Sequence, residues 1–162
     1  MDYKYQLILL GSAVHQRNQV LSKLVERVRD LGLPNTIIKI IEGDKVSSEY
    51  LGNQPAFGLY FGDAEENFKH LDITDKLLKD GTMILPIFFG NPDEGAFSKE
   101  IPCILSNQNG MQFKENELDR IANIILESFE LLRSTRKIFI SYRRNESTSV
   151  AIQLYEALES YN

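Results

Sequence analysis

The chain has 162 residues, a net charge of −5 and one cysteine, Cys103. That length suits one domain and a little more, with a core large enough to need no staples, and an acidic chain without a basic run excludes nucleic acid and anionic membranes as obvious partners. The lone cysteine fits a reducing cytoplasm, and the apolar run Leu7 to Leu10 is too short for a signal-peptide core or a membrane span.

Tyr5 to Leu10 reads as a first strand, ending at Gly11-Ser12. From Asn18, the residues Val20, Leu21, Leu24, Val25, Val28 and Leu31 mark one face of a helix that Gly32 and Pro34 stop. Thr36 to Ile41 is almost wholly β-branched and reads as the second strand; Asp44 to Leu51 suits a short helix. Ala56 to Phe61 is the third strand, and Ala64 to Asp80 carries an irregular helical region. Thr82 to Gly90 runs apolar without alternation, as a strand does when both of its faces are covered. Pro86 has no N–H to give a ladder, so a local irregularity is expected there.

After a loop from Gly90 to Pro102, Cys103 to Leu105 reads as a short fifth strand, and Asn109-Gly110 turns the chain before Met111 to Phe113. Leu118, Ile121, Ala122, Ile125, Phe129 and Leu132 then share one stripe of a helix from Glu115 to Arg133. Strands alternating with helices predict an α/β, flavodoxin-like, doubly wound parallel sheet of five strands over residues 1–133. Ligands of such sheets sit beyond the carboxyl ends of the strands, here the loops after Leu10, Phe61 and Phe89. Residues 134–162 add a strand, Lys137 to Tyr142, and a helix carrying Val150, Ala151, Leu154, Tyr155 and Leu158. They repeat the N-terminus at a shift of 130 positions, which puts Ile8, Leu9 and Leu10 on Ile138, Phe139 and Ile140.

The stretch Arg136 to Leu158, beginning Arg-Lys-Ile-Phe-Ile-Ser-Tyr-Arg-Arg-Asn-Glu-Ser, resembles the opening box of a Toll/interleukin-receptor (TIR) domain. The region before it resembles a TIR domain in its second half: Ile84-Leu85-Pro86-Ile87 is similar to the family's fourth strand, and Ile101 to Phe129 follows the order of its closing segment. The first half departs from the pattern, with Leu-Leu-Gly-Ser-Ala at positions 9 to 13. The resemblance implies a TIR-like domain followed by the start of a second, cut short at residue 162. It further implies a signalling or immune protein whose partners are other TIR domains or itself, with NAD cleavage or signalling as the work of the complete form.

Family members that cleave NAD use a glutamate on the helix before the fourth strand, where a carboxylate stabilises the cationic ribose as nicotinamide leaves. The family's spacing puts that position at or next to Ile73, between Asp72 and Asp75, neither in register. The resemblance therefore implies a non-catalytic first domain that needs no cofactor. Tyr142, Arg143 and Arg144 would meet NAD phosphates, or a partner surface, only in an intact second domain; a solvated loop pair is the alternative.

A different class of function is a small-ligand, nucleotide-sensing domain, with Ser12, His15 and Asp63 in the loops where such sheets bind. An exposed loop histidine is the plainer reading of His15. Asp63 ends the third strand as a phosphorylated receiver aspartate would, but Gly11-Ser12-Ala13 lacks the acidic residues which that chemistry needs. Neither a phosphate-cradling nor a dinucleotide fingerprint occurs, and His15, His70 and Cys103 are too far apart to predict a metal site.

Overall fold

The computed structural model describes residues 3–132. Five strands, β1 (Tyr5–Gly11), β2 (Ile38–Glu42), β3 (Ala56–Phe61), β4 (Met83–Phe88) and β5 (Met111–Gln112), form one parallel sheet in the order β2-β1-β3-β4-β5. This is the flavodoxin-like doubly wound arrangement, in which the chain leaves β1 for one edge and then returns to build the other. The helices are α1 (Val14–Asp30), α2 (Val46–Glu49), α3 (Leu71–Lys79), α4 (Ala96–Glu100) and α5 (Leu118–Ser128).

Each face of the sheet has its own core. Leu7, Leu9, Leu59, Phe61 and Ile87 pack with Val20, Leu24 and Val28 of α1 and Ile121, Ile125 and Leu126 of α5. Ile8, Leu10, Tyr60 and Ile84 point the other way, onto Val46, Leu77, Ala96, Ile101 and Leu105. A strand covered twice has no solvent side on which to place polar residues, which is why Leu7 to Leu10 are all fully buried.

Cys103–Leu105 is not a strand. It is a 3₁₀ turn closed by Leu105 N–H to Pro102 O (2.9 Å) and Ser106 N–H to Cys103 O (3.0 Å). Three apolar residues in a row carry no period, so the run cannot distinguish a strand from one helical turn. The fifth strand is the next segment, where Met111 and Gln112 pair with Ile87 and Phe88. Helix α1 starts at Val14, earlier than its apolar stripe suggests, because its first buried position is occupied by Arg17. The loop between Gly90 and Pro102 holds a second unexpected helix, α4.

Pro86 produces no break in β4. Residues of a strand turn their backbone groups alternately to the two neighbours: Ile87 O accepts from Gly62 N–H on the β3 side, and Phe88 O from Phe113 N–H on the β5 side. Pro86 therefore faces β5, whose pairing begins only at Ile87. The missing N–H falls where the ladder has not yet started.

The expected boundary after residue 133, the strand Lys137 to Tyr142 with the helix after it, and Tyr142, Arg143 and Arg144 lie outside the described residues. Among those described, no helix is long and apolar enough to cross a membrane.

Candidate functional site

The carboxyl edge of the sheet is organised around the end of β1. Tyr5 N–H donates to Ile37 O ahead of β2, and Gln6 N–H to Pro55 O ahead of β3, so by alternation Gly11 faces the β2 side. By that level β2 has ended, because the chain winds into a 3₁₀ turn at Gly43–Lys45. Gly11, itself buried, is left with an N–H and a C=O beyond the reach of the ladder, and a buried backbone group needs a partner.

Two side chains supply them. His70, from the loop after β3, accepts the Gly11 N–H at Nδ1 (3.2 Å), and Arg17 Nη2 donates to the Gly11 carbonyl (2.6 Å). Both are anchored on the end of β2: His70 Nε2 lies 3.0 Å from Asp44 Oδ1, and Arg17 Nη1 pairs with Glu42. Since Nδ1 accepts, the ring is the Nε2–H tautomer and donates to Asp44. His70 holds φ at 61°, in the left-handed region that histidine enters more readily than most residues. Its ring fills the space beside Gly43, where an added Cβ would lie 2.7 Å from ring atoms. The chain Asp44, His70, Gly11, Arg17, Glu42 thus spans the ends of β1 and β2 from elements far apart in sequence.

A second closure lies at the end of β4. The buried Glu100 carboxylate accepts from Phe89 N–H (Oε2, 2.6 Å) and Gly90 N–H (Oε1, 2.8 Å). Backbone pairs of this kind also receive free anions in other proteins. Here the occupant is part of the chain.

Of the residues predicted from sequence, Ser12 and Asp63 leave the paired ends of β1 and β3, whereas His15 lies apart from them on α1. Ser12 follows β1, and its hydroxyl is buried without a hydrogen-bond partner. His15 is exposed in the first turn of α1, in an open groove of about 440 Å³ with Asn18, Gln19, Ser22, Lys23, Glu26 and Leu118. That groove is lined by α1 and α5, which cover one face of the sheet, whereas the crevice is at its edge. Asp63 caps its own turn, accepting Glu65 N–H at 2.9 Å. It also acts on Tyr60, whose hydroxyl is pushed up to about 12, first by burial and then by the Asp63 charge.

Tyr60 is fully buried and donates to Lys69 O (3.0 Å). Its hydroxyl ionises near 10 in an unfolded chain, so the folded form holds the proton more tightly. Its contribution to stability is complete below pH 10 and disappears as pH rises through about 12. Urea unfolding over that range is expected to lose on the order of 2 kcal/mol that Tyr60→Phe does not lose.

Arg17, His70 and Glu100 were not legible as site residues. Arg17 alone left a trace, as a charge at an inward position of an otherwise apolar stripe with Val20, Leu24 and Val28. On α3, Ile73 packs against the core, Asp72 is exposed and Asp75 pairs with Lys79 (2.5 Å). Among the described residues, no three His, Cys, Asp or Glu side chains are gathered as metal ligands would be. Compared with family models, curated proteins and solved structures, the chain matches none of them.

Proposed function

We propose that residues 1–133 are a TIR-like domain that senses or assembles and performs no chemistry, set ahead of the opening strand and helix of a second TIR domain. In the intact protein, self-association of such domains would switch on signalling or NAD cleavage, with other TIR domains or further copies of this chain as partners. The observation that carries the reading is the state of α3. The resemblance puts a catalytic glutamate at or next to Ile73, which packs on the core, and the neighbouring carboxylates are exposed or tied to Lys79.

Incubating the chain with NAD at high protein concentration tests this. No nicotinamide is expected above the level of a buffer control. Turnover that persists through further purification and is lost in Asp72→Asn or Asp75→Asn would overturn the proposal.

One observation favours the second reading, a nucleotide sensor. The unpartnered Ser12 hydroxyl lies in a loop where doubly wound sheets take their ligands. Against it stands the occupancy of that edge by His70, Arg17 and Glu100.

A further inference from the structure

We infer that His70 is an acid-sensitive strap across the carboxyl edge of the sheet, closed while its ring is neutral and released when the ring takes up a second proton. The inference is independent of the family proposed above. It rests on which atom of the ring does which job.

Nδ1 is an acceptor, facing the Gly11 N–H at 3.2 Å, and Nε2–H is the donor toward Asp44 at 3.0 Å. Protonation can occur only at Nδ1. It replaces the acceptor with an N–H directed at another N–H, so the Gly11 bond is lost and the two donors repel. The Asp44 contact has the opposite preference and strengthens as the ring becomes charged. The charged ring is thus held at its Nε2 end and expelled at its Nδ1 end. Rotation away from Gly11 keeps one contact and relieves the other.

The polar groups of the elements around the ring have partners of their own. The Gly11 carbonyl accepts from Arg17, which is itself paired with Glu42. The Tyr60 hydroxyl gives its proton to Lys69 O, and Asp72 is exposed on the first turn of α3. Motion of His70 would be transmitted to two places. Its carbonyl accepts both Thr74 N–H and Thr74 Oγ1–H (2.8 Å each), so it fixes the start of α3. Its ring closes the space over Gly43, in the turn after β2. A single protonation would therefore act on the loops after β1, β2 and β3 together, at the carboxyl edge of the sheet.

The test is amide hydrogen exchange by NMR on the full chain from pH 8 to pH 5, the range in which imidazoles change charge. Protection factors are corrected for the intrinsic pH dependence of exchange, and the His70 ring C–H signals are followed in the same samples. As the ring becomes charged, protection at Gly11 is expected to fall about tenfold, the loss of roughly one backbone hydrogen bond. Protection at Leu9, held in the β1–β2 ladder, should not change. In His70→Gln, whose side-chain carbonyl can accept from Gly11 but cannot become charged in this range, Gly11 protection should stay constant within twofold. An equal fall in that variant overturns the inference. If the variant does not fold, the wild-type data decide: Gly11 protection that holds steady while the ring titrates is equally fatal.

Discussion

Gly11→Ala is expected to remove more than about 4 kcal/mol of stability, enough to leave little folded protein. Two penalties coincide. The residue holds φ at +82°, a conformation that costs an L-residue roughly 1–2 kcal/mol. The added methyl would also lie 1.9 Å from Phe61 O and 2.8 Å from Phe61 C. Those are backbone atoms of the neighbouring β3, where Phe61 is fully buried and in register with Gly11, so no flexible side chain can give way. Any shift large enough to admit the methyl also pulls Gly11 from His70 and Arg17. Gly81→Ala separates the two penalties, because Gly81 has nearly the same φ, +79°, with nothing within 4 Å of its added Cβ. It should cost only about 1–2 kcal/mol in the same urea titration.

Glu100→Ala is the second large effect, at about 3 kcal/mol. Truncation leaves the Phe89 and Gly90 N–H groups without their acceptor, and bonds to a charged partner contribute about 1.5–3 kcal/mol each before partial rescue by water. Glu100→Gln keeps the shape and one carbonyl oxygen but turns an amide N–H₂ toward the other donor. It should lie between wild type and alanine in denaturant unfolding. Wild-type stability in Glu100→Gln would show that only one of the two bonds matters. The local glycines are consistent with a tight fit: a Cβ on Gly90 would lie 2.6 Å from Glu100 Oε1, and one on Gly62 2.8 Å from Glu100 O.

The sheet was legible because its strands are covered on both faces. Leu7 to Leu10, Ala56 to Phe61 and Met83 to Phe88 are continuous runs, and continuity is the physical consequence of double burial. The reading failed where an element was too short to show a period, at Cys103–Leu105 and at α4, and where a charged side chain took a buried position, at the start of α1. Pro86 was read as a defect because sequence does not reveal which neighbour a residue faces. Once Pro86 is seen to face β5 ahead of its first pair, no ladder bond is missing.

The site was less legible than the fold for a related reason. Its side chains bind main-chain groups, and a main-chain group has no residue type to mark it. Nothing in the sequence says that Gly11 outruns β2, so nothing says that a histidine 59 positions later must complete it. Residues singled out for chemical character fared differently. His15 lies on the outer surface of α1, and Asp63 is occupied by its own turn. Of these three, Ser12 has its hydroxyl buried without a hydrogen-bond partner.

That the chain's own side chains fill the place where a doubly wound sheet receives a ligand is tested most directly by a thermal-shift series with adenine and guanine nucleotides at millimolar concentration and pH 8. A ligand that binds only the folded state raises its melting temperature. The melting temperature is expected to stay within about 1 °C of the ligand-free value for every nucleotide. A rise of several degrees that Ser12→Ala or Arg17→Met abolishes would contradict the account and establish the crevice as a nucleotide site.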